Sequence, residues 1–329
     1  MNKRQKLIID CDTGSDDAVA LMTAVLSDRF DILAITTTHG NLPVQYTTEN
    51  TLRVLELLHR EDIPVYPGCN EGMVKLLTPG RMINPKIKAI SKMINGKEVA
   101  IHDRYLDLPE AKTKPQDEHA CSFLLRTLRE TKEKIVLAPL GPVTNIGMAL
   151  RMDPSIAKNI EGIVLMGGGV HESNKSMAAE SNFFNDPEAA KIVLECGAPV
   201  VVIPLDATKS VSLSREDAAH MAASGTKAAK FAADLVMHRI EAEEMLGFID
   251  DGKNALHDPL TICFLLDPTV ITDLWHCACD IEIGGGRADG QLLCDVRPGE
   301  KPTLPTYVAM CGDKDKYLSM LTDVLARGK

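Results

Sequence analysis

The feature that most constrains this chain is a repeated alternation of two kinds of segment. Short runs rich in Ile and Val at 7–9, 32–36, 135–138, 163–166 and 200–203 are separated by segments with apolar residues at helical spacing, at 18–26, 50–59, 120–129 and 189–195. Runs that are apolar at successive positions suit strands covered on both faces, and helix-length connections return each strand to the sheet in parallel. The expected fold is α/β: an open, mostly parallel central sheet flanked by amphipathic crossover helices. The alternation continues past the midpoint without a fixed-period repeat or a low-complexity linker, so residues 1–329 are expected to form one domain. Polar, Gly/Pro-bearing or charged stretches at 68–80, 95–118, 167–181 and 247–255 read as long loops. Residues 277–283 and 307–310 look like strands, with partner and direction open.

Composition removes some functions. Thirty-six Lys plus Arg against forty-six Asp plus Glu leave a net charge of −10, which repels a phosphate backbone, and no basic patch overrides it. No nucleic-acid partner is expected. The basic start at residues 1–6 runs into an apolar segment too short for a signal peptide or a membrane span, so a cytoplasmic protein without a membrane partner is expected. Nine cysteines without CxxC spacing read as reduced, mostly buried thiols, with Cys277 and Cys279 neighbours on a strand.

The most informative segment is the first strand, which empties into Asp10-Cys11-Asp12-Thr13-Gly14-Ser15-Asp16-Asp17 before a helix begins. Ligands of open α/β sheets collect at this carboxyl end. Ser15 can cap the helix, and its positive end favours Asp16 and Asp17, which accounts for one or two acids. Four carboxylates in eight residues repel one another unless a cation compensates. A group dominated by carboxylate oxygens suits a hard ion, Ca²⁺ or Mg²⁺, with calcium the first choice.

The spacing Asp10-x-Asp12-x-Gly14-x-Asp16-Asp17 resembles the opening motif of the nucleoside hydrolase family. The resemblance runs on through Thr37-Thr38-His39-Gly40-Asn41, Pro139-Leu140-Gly141-Pro142-Val143-Thr144-Asn145 and Met166-Gly167-Gly168-Gly169. It continues through Asn174, the segment Ala179-Glu180-Ser181-Asn182-Phe183-Phe184-Asn185-Asp186-Pro187, and finally His257-Asp258-Pro259-Leu260. It implies a sheet with a Rossmann-like core and hydrolysis of the N-glycosidic bond of small-molecule ribonucleosides to ribose and free base. It also implies a role in purine or pyrimidine salvage and a homo-oligomer, dimer or tetramer.

Residue by residue, the resemblance implies that Asp12, Asp17, Asp258 and the backbone carbonyl of Leu140 bind the metal, with Asp10 in support. Asp12 would also be the general base toward a metal-activated water. Asp16, Asn41, Asn174, Glu180 and Asn182 would grip the ribose hydroxyls, and His257 would act as acid toward the leaving base. The chemistry suits these types: a cation makes water more acidic, a carboxylate takes the proton, and Asn and carboxylates pair with hydroxyls.

Plainer readings stand beside these. Asn41 can end a strand, Thr144-Asn145 can start a helix, and Asp258 can cap one; for Asp186, followed by Pro187, the capping reading is preferred. The sequence departs from the family pattern at Thr13 and Ser15, and residues 101–107 lack the glycines usual in the family's active-site loop. Whether His102 or His238 contacts the leaving group stays open, and Met237, His238, Met245 and Phe248 do not assign a base. Two other functions compete. Asp10-Cys11-Asp12-Thr13 imitates the nucleophile motif of haloacid-dehalogenase-like phosphatases, and the same pocket without turnover would make a ribose- or nucleoside-binding protein.

Overall fold

The structure, a computed structural model, describes residues 4–78, 81, 91–300 and 302–328. Strands β1 (Gln5–Cys11), β2 (Phe30–Thr37), β3 (Val65–Pro67), β4 (Ile135–Pro139), β5 (Ile160–Met166), β6 (Val200–Ile203), β7 (Ile271–His276) and β8 (Thr306–Gly312) form one eight-stranded sheet. Their spatial order is β7-β8-β6-β5-β4-β1-β2-β3, and every neighbouring pair is parallel except β7 with β8. The five Ile/Val runs are β1, β2, β4, β5 and β6, and their lack of polar alternation has a direct cause. Leu7 and Ile9 of β1 enter one apolar cluster while Ile8 enters the cluster on the other face, and β4 divides in the same way at Val136 and Leu137.

Helix α1 (Ser15–Leu26) crosses over from β1 to β2, and Ser15 through Val25 are all buried. The sequence reading of this segment as amphipathic is therefore corrected. The helices that bury its outer side are α6 (Lys227–Leu246), α7 (Pro259–Leu266) and α8 (Lys314–Leu325). A helix apolar on all sides belongs inside. Helices α2 (Val44–Leu57), α3 (Ala120–Glu130) and α5 (Pro187–Leu194) overlap the other three helical stretches, and α4 (Thr144–Met152) is a further helix that begins at Thr144-Asn145.

The loops are less plain than the sequence reading has them. The 95–118 stretch begins inside a hairpin, Ser91–Ile94 with Lys97–Ala100, turned by Asn95 and Gly96 at φ 51° and 79°. Within 247–255, Lys253–Asn254 pairs with Leu213–Ser214. Residues 79 and 80 of the 68–80 loop lie outside the described residues. The C-terminal pairing left open by the sequence is now defined: β8 lies parallel to β6 and antiparallel to β7. Ala278–Ile281 leaves the sheet to form a two-stranded ribbon with Leu292–Asp295. Cys277 sits between β7 and that ribbon rather than on one strand with Cys279, and only four of the nine cysteines are fully buried. Among the described residues no helix is long and apolar enough to cross a membrane.

This topology places the site. From β1 the chain moves outward through β2 and β3, then returns to the other side of β1 as β4. The connections leaving the carboxyl ends of β1 and β4 diverge and open a crevice between them.

Candidate active site

The two walls of the crevice are joined at Asp10, whose backbone carbonyl accepts a hydrogen bond from Leu140 N at 2.7 Å. The Asp10 carboxylate points into the fold, where Oδ1 accepts from Asn145 Nδ2 at 2.8 Å and from the Thr36 hydroxyl at 2.5 Å. Asn145 also donates to the Thr37 carbonyl and accepts from Cys69 N, so one buried amide ties β1, β2 and α4 together. Beyond Asp10, Asp12 Oδ2 accepts from Asn41 N at 2.6 Å. A Cβ at Gly40 would stand 2.0 Å from that oxygen and one at Gly141 would stand 2.6 Å from Oδ1, so glycine at both positions leaves room for the carboxylate.

Asp17, in the first turn of α1, accepts from Asp12 N at 3.1 Å and Gly14 N at 2.9 Å. It thereby does the capping that the sequence assigns to Ser15, which is itself the first helical residue and turns its hydroxyl toward His102 and Arg239 at 3.4 Å each. Asp258 precedes α7 with Pro259 in the first turn, and its side chain makes no capping hydrogen bond. Its carboxylate is not spent on the helix. Asp186, by contrast, accepts from Ala189 N, Met73 N and the Thr144 hydroxyl, as a capping residue should.

Asp10, Asp12, Asp16, Asp17 and Asp258 are all at most 5% exposed. Burial pushes Asp10 up to about 7 and, together with Asp16, Asp17 up to about 6. Burial, then the neighbouring acids, drive Asp12 and Asp258 well above the usual carboxylate range. Only Asp16 ends below its ordinary value, because Arg239, then His102 and His257, outweigh the effect of burial. With one guanidinium against five buried carboxylates, the acids cannot all ionise unless a cation compensates. One oxygen each from Asp16, Asp17 and Asp258 lie within 4.8 Å of one another. Two oxygens on opposite sides of a Ca²⁺ at about 2.4 Å are about 4.8 Å apart, so this Asp-rich group has the donor chemistry and the spread of a hard-cation site.

A cavity of about 370 Å³ opens over these acids, a size ordinary for small-ligand sites at about 300–1,000 Å³. Of the ten residues singled out from the sequence, Asp12, Asp16, Asn41, Leu140, Asn174, Glu180, Asn182, His257 and Asp258 line it, while Asp17 lies fully buried behind them. Glu180 has a structural task the sequence reading missed: it caps the short helix Ser181–Asn185, accepting from Asn182 N, Phe183 N and Gly168 N. Burial still pushes it up to about 7 against those donors. Asn182 Nδ2 donates to the Leu140 carbonyl at 2.7 Å, which leaves that oxygen one further lone pair. Asn174 Oδ1 is buried with no partner among the described residues. His257 Nδ1 lies 2.7 Å from the Thr208 hydroxyl, so Nε2 is the nitrogen left for a ligand.

Arg239, on α6, is the main residue the sequence reading passed over. Its guanidinium lines the cavity 3.6 Å from Asp16 Oδ1, 3.1 Å from Glu243 Oε1 and 3.2 Å from His102 Nε2. Burial and the Arg239 charge hold His102 down to about 3. Of the four base-side candidates only Phe248 lines the cavity, whereas His238 faces Asp103 at 3.5 Å on the outside. Because Arg239 is the only guanidinium among the lining residues, Arg239→Met is expected to strand a buried Asp16 and cost about 3–5 kcal/mol in denaturant unfolding. Adding Asp16→Asn should restore most of it; an equally unstable double variant would show that the ion pair is not the cause.

The family model for inosine-uridine preferring nucleoside hydrolase matches residues 7–319. The pyrimidine-specific ribonucleoside hydrolase RihA of Escherichia coli O1:K1 is 34% identical over 326 residues, covering 97% of each chain. Among solved structures, the purine-preferring ribonucleoside hydrolase from Gardnerella vaginalis superposes with a TM-score of 0.81 at 30% identity, covering 98% of both chains. The plant nucleoside hydrolase PpNRh1 has the same TM-score at 28% identity, over 98% of this chain and 99% of that one. With sequence and fold both matched from β1 into α8, around a crevice that gathers acids from opposite ends of the chain, this protein belongs to the inosine-uridine preferring nucleoside hydrolase family.

Proposed function

We propose that the protein hydrolyses the N-glycosidic bond of ribonucleosides to ribose and free base, and that residues 1–329 act as one catalytic unit. The observation that carries this reading is the gathering of Asp12, Asn41, Asn174, Glu180, His257 and Asp258, from separate segments, around one cavity. Asp12, Asp17, Asp258 and the Leu140 carbonyl would hold one Ca²⁺, and Asp16, whose oxygen lies in the same acidic group, would stay with Arg239 as a charged partner for ribose. Bound there, the ion would make a water more acidic and offset the excess of carboxylates. Asp12, as a carboxylate beside the attacking water, accepts its proton. Asp16, Asn41, Asn174, Glu180 and Asn182 orient the sugar through its hydroxyls. The same reading carries a cytoplasmic salvage role and a homo-oligomer, dimer or tetramer.

The phosphatase reading is not favoured. It needs Asp10 as a nucleophile, whereas Asp10 is absent from the cavity wall and bonded to Thr36 and Asn145. A screen of ribonucleosides for released reducing sugar, with and without chelator, tests the proposal. Ribonucleoside binding without any sugar release would favour the non-catalytic reading instead.

His257 carries a separate expectation. Burial pushes it down to about 4, partly opposed by Asp16, so the acid role requires it to take up a second proton as negative charge develops on the departing base. As the imidazolium it donates from Nε2 toward the leaving base while Nδ1–H donates to the Thr208 hydroxyl. A natural base leaves poorly and needs that proton, so His257→Ala should lower its turnover by about 10²–10⁴-fold. A nitrophenyl riboside, with a good leaving group, should lose far less, and metal content should be retained. Equal losses on both substrates would remove His257 from the acid role.

A further inference from the structure

A second group of ligand-type side chains lies outside the crevice, at the ribbon Ala278–Ile281 and Leu292–Asp295. Cys279 and Cys294 stand directly opposite each other in its register. Cys277 precedes Cys279 by two residues, at the step from the sheet into the ribbon. The Sγ atoms of Cys277 and Cys279 are 3.8 Å apart and those of Cys279 and Cys294 are 3.9 Å apart, with all three within 4.8 Å of one another. Thiolates bound to zinc at about 2.3 Å in tetrahedral geometry are separated by about 3.8 Å. We propose that Cys277, Cys279 and Cys294 form a thiolate metal site for one soft closed-shell cation, zinc in the first place.

Buried cysteines often act only as small apolar side chains. Here that account explains Cys277, which is buried in the apolar cluster on one face of the sheet, better than its two half-buried neighbours. Cys279 and Cys294 line a shallow surface groove with Asp295 and Arg297, which gives an ion a way in and a water room to serve as fourth ligand. Without a cation the thiols donate to one another, and Cys279 also to the Cys277 carbonyl at 3.6 Å. Hydrogen bonds from Cys279 and Cys277 lower Cys294, while the Cys294 contact and burial raise Cys279. A bound cation lets all three sulfurs ionise, and binding releases the protons. The consequence reaches the crevice through packing. The ribbon lies on α5, and Leu292 closes on Gly168, whose N–H holds Glu180. An ion that clamps the ribbon would stiffen this support.

The test uses the reduced, chelator-treated full chain and Cd²⁺ as the probe, because cadmium–thiolate bonds absorb in the near ultraviolet and oxygen ligands do not. One equivalent per chain should produce the absorption, and Zn²⁺ should displace it. Cys279→Ser and Cys294→Ser should abolish it, while Cys69→Ser, in the separate group of Cys69, His119 and Cys121, should retain it. Should the serine variants fold poorly, the unmodified chain still decides: alkylation followed by mass spectrometry should show cadmium protecting Cys277, Cys279 and Cys294. No absorption, absorption that survives in Cys294→Ser, or protection confined to Cys69 and Cys121 would overturn the proposal. A Cys279–Cys294 disulfide that forms in preference to metal binding would overturn it as well. Each readout concerns sulfur, so the result is independent of the carboxylate ion.

Discussion

A nucleoside that lacks its 2′-hydroxyl should be turned over about 10⁴-fold less efficiently than its ribose counterpart, measured as kcat/KM for deoxyuridine against uridine. The expected size follows from what the missing hydroxyl leaves behind. Glu180 and Asp16 are 2% and 5% exposed, so they cannot turn to bulk water, and Asn174 Oδ1 is buried without a partner among the described residues. A buried polar group that loses its partner bears the full cost of desolvation, whereas an apolar pocket would discriminate only weakly. The loss should appear chiefly in kcat/KM, since it measures transition-state stabilisation relative to free enzyme and substrate. Comparable values for the two nucleosides would count against the ribose assignment of Asp16, Asn41 and Glu180.

The second large effect is expected at Asp12. Asp12→Asn keeps the shape of the side chain but removes its charge and its ability to take a proton, so turnover should fall by about 10⁴-fold, the upper end for loss of a general base. Metal content should fall too, since Asp12 shares its surroundings with Asp17 and Asp258. Asp17→Ala and Asp258→Ala should lose metal while leaving the base in place, which separates the two roles. A chelator-treated, metal-free preparation that works at the full rate would sink the metal reading for all three residues. The asparagine change also relieves carboxylate repulsion in the metal-free cavity, so this variant should unfold no more easily than the metal-free parent.

How much of this was legible in the chain follows from what kind of information each feature needs. Strands β1, β2, β4, β5 and β6 are buried on both faces, so their residues are apolar at successive positions and announce themselves. Asp10 to Asp17 and His257-Asp258 were legible because residue types of clear chemistry stand at a strand end or before a helix. The Asn95-Gly96 turn was legible as well, since that pair favours left-handed backbone, but it was absorbed into a long loop. Arg239 was not legible. A single arginine on the twenty-residue α6 looks like any solvated helix residue, and only the packing of α6 on α1 turns it toward Asp16. The place of β8 between β6 and β7 was equally hidden, because strand order is a property of the assembled sheet and Tyr307 to Met310 would be apolar beside any partner.

The insertion of β1 between β2 and β4 bears on how the molecule comes to be built. Asp10 and Leu140 meet across 130 positions of chain, and Asp258 arrives from a further 118 positions on. Such long closures are slow, because the chain must give up its freedom before the contact repays it. The sequence-local half, β1 with β2 and β3, is expected to pair its backbone first, while its acids still face water. The crevice closes only when β4 docks and Leu140 N finds the Asp10 carbonyl. Carboxylate repulsion is therefore deferred to the last stages of folding, when a cation is most useful to it. During refolding from denaturant, calcium should leave the early collapse unchanged and accelerate the final phase, so the ion would act on this chain as a late assembly factor before it ever served as a cofactor.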